Sequence, residues 1–144
     1  MELVVVAHCL LNPSVRVQGL AGKKPDIKGN VIQLPCPESV YFGKRRWEVS
    51  KEQLEIPMYR RFCRELFQPV ADILEQHKDS GITIIGISKS PSCAALTTTI
   101  GYRGGMIKKA HEAKHEHIGG MGVFFEEIEK ELEKRGIRAR YQDA

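Results

Sequence analysis

Four cysteines stand in the chain, at positions 9, 36, 63 and 93, and no two are close in sequence. Three of them follow apolar runs. Cys9 closes "LVVVAHC", Cys36 follows "NVIQLP", and Cys93 sits in the Pro/Ser loop "SKSPSCAAL" after "ITIIGI". Thiols gathered in one place can bind a metal or a cluster, or exchange electrons; thiols scattered are small buried hydrophobes. Redox exchange favours a resolving cysteine one or two residues away, and the sequence has none. A structural zinc site favours paired C-x-x-C knuckles and four ligands. Three single ligands on three loops instead leave a tetrahedral metal or a four-iron cluster with one open position, which suits chemistry better than stapling. Cys63, in "MYRRFCRELF", lies one helical turn from Tyr59 and Phe67 and reads as a core thiol.

Whether the three thiols meet depends on the elements that carry them. Leu3–His8, Asn30–Pro35 and Ile82–Ser88 read as buried strands, and the half-polar Ile137–Gln142 as an edge strand. Continuous β-branched runs imply burial on both faces, as in a parallel sheet covered by helices. Ser50 and Gln53 stand at capping-box spacing. Pro57 can open a helix, Tyr59, Phe62, Leu66, Val70, Ile73 and Leu74 recur at helical spacing, Pro69 should kink or split that helix, and Gly81 should end it. A last helix runs through "VFFEEIEKELEKRG", with Val123, Phe124, Ile128 and Leu132 on one face and Gly136 as its stop. The expected fold is one α/β domain over residues 1–144: an open, mostly parallel sheet of about four strands with helices on both faces, Rossmann- or flavodoxin-like. Ligands in such sheets sit beyond the carboxyl ends of the strands. The first three strands would bring Cys9, Cys36 and Cys93 to that edge.

The 144 residues are 42% hydrophobic, enough for one domain with a core, and carry a net charge of +4. That charge tolerates an anionic substrate, but there is no aromatic–basic interleaving, and no stable nucleic-acid partner is expected. The run "LVVVAHCLL" lacks a basic flank and is too short to span a bilayer, so it reads as a strand and no membrane partner is expected. Sparse cysteines and a sufficient core point to a reducing cytoplasm, and to a monomer or homodimer.

"VAHCLLNPSVR" (Val6–Arg16), "LPCPES" (Leu34–Ser39) and "SKSPSCA" (Ser88–Ala94) resemble, in order and spacing, the three motifs of the TudS-like thiouracil desulfidase family; "GGMGVFFEEI" (Gly119–Ile128) resembles its closing glycine-then-helix segment. The resemblance implies a [4Fe-4S] cluster on Cys9, Cys36 and Cys93, an acid/base role for Glu38, a substrate-facing role for Ser90, and a thiolated pyrimidine or similar thiocarbonyl substrate. The chain departs from the pattern at Asn12 and Ala94, where glycine is usual. "SVYFGKRRWEV" replaces a glycine-rich run after Glu38, which points to a sister branch. Lys89 and Arg16 are candidates to balance a cluster's negative charge, and Ser92 to donate to it or cap the turn.

Two other readings compete. The same three cysteines would serve a non-catalytic iron–sulfur or zinc sensor. "HEAKH" also matches H-E-x-x-H, so His111, Glu112 and His115 would suit a zinc hydrolase if helical, although that stretch is polar nearly all round. His117 is a candidate gate. "GGMG" offers helix N-terminal amides to an anion, and "GKRRW" reads as a solvated basic turn.

Overall fold

The computed structural model describes residues 2–16, 24–101 and 114–144. Four strands, β1 (Glu2–Val6), β2 (Asn30–Gln33), β3 (Gly81–Gly86) and β6 (Arg140–Asp143), form one sheet in the order β2-β1-β3-β6. Every pairing is parallel. The apolar β1 and β3 take the centre, and the more polar β2 and β6 take the edges. This is the four-stranded parallel α/β sheet that the sequence pattern predicts. Strand boundaries differ: β1 stops at Val6, and a one-turn helix α1 (His8–Leu11) follows.

Helix α2 (Pro37–Phe42) follows β2, α3 (Pro57–Gln76) precedes β3, and α4 (Val123–Lys134) precedes β6. Ser50 and Gln53 form the predicted capping box, on a 3₁₀ turn at Lys51–Leu54. Pro57 opens α3 as expected, but α3 runs unbroken through Pro69. Pro69 and Glu65, four residues earlier, both lie on the exposed side, where water can take up the carbonyl that the missing N–H leaves free. The buried stripe of α3 is Tyr59, Cys63, Phe67, Val70, Ala71 and Leu74. Phe62 and Leu66 flank it, and Ile73 is exposed. Helix α3 ends at Gln76, and Gly81 starts β3 instead of capping the helix.

Helices α3 and α4 pack side by side, pinned by a charge cluster. Glu127 of α4 is buried, yet takes Arg64 at 2.6 Å and Arg60 at 3.4 Å from α3. A carboxylate is tolerated there because two guanidinium groups replace its water. Helix α4 lies on the sheet face that carries Gly86: a Cβ at Gly86 would come within 2.7 Å of the Phe125 ring. The opposite face presents Val4, Thr83, Ile85 and Gln142 to the segment Pro25–Lys28.

A second, two-stranded antiparallel sheet pairs β4 (Thr97–Ile100) with β5 (Glu116–Gly119). Periodicity does not predict it. Its strands are short and polar, and every residue of β5 is exposed.

Candidate functional site

Three parallel neighbours, β2, β1 and β3, end at the same sheet edge, and each hands the chain to a cysteine. Cys9 lies in α1, Cys36 is the N-cap of α2, and Cys93 lies in the loop after β3. All three line one cavity of about 260 Å³, together with Glu38, Ser90, Arg16, Arg46, Lys89 and His117. Cys63 is buried on α3, outside that lining, as a core thiol should be.

The loop that holds Cys93 is bonded on every side. Ser90 Oγ accepts the amides of Ser92 at 3.3 Å and Cys93 at 2.9 Å. Ile87 N donates to Cys93 O at 2.7 Å. The carboxylate of Asp143, at the end of β6, accepts the amides of Ala95, Leu96 and Thr97. From the other side, Gly122, Val123 and Phe125 donate their amides to Ala94, Pro91 and Ser92 carbonyls. Within "GGMG", the amides of Gly120 and Gly122 are thus spent on the Leu96 and Ala94 carbonyls of the cysteine loop and do not wait for an anion. Two glycines make this sandwich possible. A Cβ at Gly86 would meet Cys93 O at 2.3 Å, and one at Gly122 would meet the Ser92 carbonyl carbon at 2.3 Å.

Burial and mutual repulsion hold the thiols protonated. Desolvation, then Cys36, pushes Cys9 up to about 12, with Arg16 pulling back. Cys36 is raised mainly by burial, against the Ser39 amide that donates to its Sγ at 3.3 Å. Cys93 is raised well above the usual thiol range by burial and then by Cys36 and Cys9. Cys9 and Cys93 both feel Cys36, so the three thiols are electrostatic neighbours. A bound cation reverses the effect, because it stabilises thiolate over thiol.

Glu38 is buried, and desolvation raises its carboxyl above the usual range; Arg46 and the Ser92 hydroxyl oppose this. Arg46 corrects the reading of "GKRRW" as a solvated turn. Its side chain is only 7% exposed, and its guanidinium donates to the carbonyls of Val15 at 2.9 Å and Gly43 at 3.1 Å. Its Nε stands 3.7 Å from Glu38 Oε1 and makes no hydrogen bond in the described structure. It thereby ties the Cys9 loop to the end of α2 and faces Glu38. Sequence reasoning missed it, because what buries an arginine is the convergence of distant carbonyls. Ser92 Oγ lies 2.9 Å from Tyr59 Oη, and its hydroxyl favours the charged form of Glu38.

Lys89, a candidate to balance charge, lines the cavity with φ at 71°, a left-handed conformation rare outside glycine. Asn12, where glycine is usual, has φ at −130° and needs no glycine; its side chain bonds Gln33. His111 and Glu112 lie outside the described residues. His115 Nδ1 stands 3.8 Å from Glu48 Oε1, and the chain enters β5 at the next residue. Among the described residues, no three His, Cys, Asp or Glu groups gather around a single metal ion.

The donor chemistry of the cavity suits a cluster. Soft sulfurs come singly from three loops, a cluster offers each its own iron, and Arg16 stands near to offset negative charge.

No protein-family model and no solved structure matches the chain. It is similar to one uncharacterized archaeal protein. That relative, MJ0003 of Methanocaldococcus jannaschii, is 28% identical over 148 aligned positions, which cover 94% of this chain and 81% of the relative. No helix among the described residues is long and apolar enough to cross a membrane.

Proposed function

We propose that this chain is an iron–sulfur-dependent desulfidase that exchanges the C=S group of a thiolated pyrimidine, or a similar small thiocarbonyl compound, for C=O. The observation that carries the reading is the shared cavity: Cys9, Cys36 and Cys93 line it from three strand ends, with a buried carboxyl, Glu38, among them. Held by those cysteines, a [4Fe-4S] cluster would supply a soft Lewis acid for the substrate sulfur.

The chain's own residues do the rest. Net, one water is consumed and one hydrogen sulfide is released. Glu38 takes a proton from the water that adds to the thiocarbonyl carbon, then returns it as sulfur departs. Burial raises the proton affinity of its carboxylate, and Arg46 and Ser92 keep the charged form accessible. Ser90 accepts two amides through its oxygen, so its hydroxyl proton remains to donate to a heteroatom of the substrate. A sensor using the same cysteines has no need of a buried carboxyl with a guanidinium aimed at it, so Glu38 and Arg46 favour catalysis.

The test is anaerobic reconstitution with iron and sulfide, followed by iron and sulfide counting and a sulfide-release assay on thiolated pyrimidines. Wild type should hold about four irons per chain, as a cubane requires, and Cys93→Ala should lose them. Retention of zinc without iron uptake would discard the desulfidase in favour of a metal sensor.

A further inference from the structure

The hairpin β4–β5 closes one side of the cavity and carries a histidine whose hydrogen bonding fixes its chemistry. Thr99 and His117 are directly opposed in the antiparallel register, and both line the cavity. Thr99 Oγ1 donates its single proton to the backbone carbonyl of Lys89 at 2.6 Å. The same oxygen lies 3.0 Å from His117 Nδ1. A carbonyl cannot donate, so the threonine proton is committed. The contact with the ring then exists only if Nδ1 carries a hydrogen and Oγ1 accepts it. Neutral His117 is therefore the Nδ1–H tautomer, and its Nε2 is a bare lone pair.

The support behind this histidine is built. Thr99 is buried, 5% exposed. The carbonyl it holds belongs to Lys89, in the left-handed conformation at φ 71°, and Lys89 N is in turn tied to Thr97 O at 2.6 Å. A strained backbone kept in place by specific bonds beside a cavity is a mark of a functional wall. The rest of the lining offers guanidinium and ammonium donors in Arg16, Arg46 and Lys89, and carboxylates in Glu38 and Glu48. The imidazole adds a neutral acceptor.

We infer that His117 is a specificity-determining residue: its Nε2 accepts a hydrogen bond from a ring N–H of the ligand, and Thr99 is the positioning residue that sets its tautomer. On the desulfidase reading, on which this rests, the ligand is a thiolactam heterocycle whose ring N–H adjoins the C=S group. A ligand alkylated at that nitrogen loses the contact.

Two measurements test this. Long-range proton–nitrogen NMR on the histidine-labelled full chain reads the tautomer directly, without turnover. His117 should be Nδ1-protonated in wild type and a mixture of tautomers in Thr99→Val; an Nε2-protonated ring in wild type overturns the inference. The second is equilibrium binding of 2-thiouracil and its two N-methyl isomers to the reconstituted chain in a Glu38→Gln background, where turnover is slowed about a hundredfold or more. His117→Ala should weaken 2-thiouracil binding about five- to tenfold, the worth of one neutral hydrogen bond. It should not weaken binding of the isomer whose methyl group replaces that donor. His117→Gln, whose side-chain carbonyl can stand in for Nε2, should restore most of the loss. Equal weakening for every isomer, or no weakening, overturns the inference while leaving sulfide release by the parent enzyme intact. Failure of 2-thiouracil to bind overturns the ligand class. Failure of the parent to release sulfide, with the tautomer and the binding pattern as expected, would count against the desulfidase and not against the histidine.

Discussion

Burying a carboxylate costs free energy unless nearby charge or donors compensate it, and at Glu38 Arg46 and Ser92 both favour the charged form. Behind Ser92 stands Tyr59, buried in the core, with its Oη 2.9 Å from Ser92 Oγ. Ser92 is thus supported from the core by a residue that does not line the cavity. Glu38→Gln keeps the size of the side chain and removes its base. It should leave iron and sulfide content unchanged and lower sulfide release about 10²–10⁴-fold, the usual worth of a positioned general acid–base. A variant that releases sulfide at the wild-type rate would remove Glu38 from the chemistry.

At the scale of elements, the site is an assembly of strand ends and the contacts that fix the loops leaving them. The Cys93 loop is clamped between β3 and the start of α4, with Asp143 of β6 accepting three of its amides. The clamp tolerates no side chain at Gly122, where a Cβ would lie 2.5 Å from Ser92 O and 2.8 Å from Cys93 N. Gly122→Ala should therefore push the loop away. We expect a loss of about 1–3 kcal/mol in unfolding free energy, as for overpacked cores, together with reduced iron uptake. Gly119→Ala, where a Cβ meets nothing within 4 Å, is the control and should behave as wild type. Normal iron uptake by the Gly122 variant would mean that the loop's position is not what the cysteine needs.

For the molecule as a whole, three thiols, Cys9, Cys63 and Cys93, sit in or against the core and are kept protonated by burial. Cys63 is pushed up to about 12 from 9.0, chiefly by burial. The unfolded chain ionises this thiol near its ordinary value, while the folded chain does not. Its contribution to stability is therefore complete below about pH 9 and is lost as pH rises toward 12. Each such thiol adds a slope approaching ~1.4 kcal/mol per pH unit in that window. Urea unfolding of the metal-free chain between pH 8 and 10 should show stability falling as pH rises, and falling less steeply in Cys63→Ala. An identical slope in the variant would show that Cys63 ionises as easily folded as unfolded.

What the sequence by itself determined was the sheet and its cargo. Strands buried on both faces need long apolar β-branched runs, so β1 and β3 are legible as strings of residues. In a parallel sheet, strand order in the chain then brings three cysteines to one edge. Tertiary structure alone decided the rest of the site. Arg46 is polar and flanked by charge, and nothing local marks it as buried; carbonyls from Val15 and Gly43 make it so. The glycines before α4 could serve an anion or a loop, and only the docking of residues 91–96 consumes their amides. His117 lies on an exposed, polar strand with no alternation to announce it, and its partner Thr99 is 18 residues away. Apolar periodicity is written locally because burial of a strand is a property of its own side chains. A hydrogen-bonded polar site depends on partners far apart in sequence, so it exists only once the chain has closed.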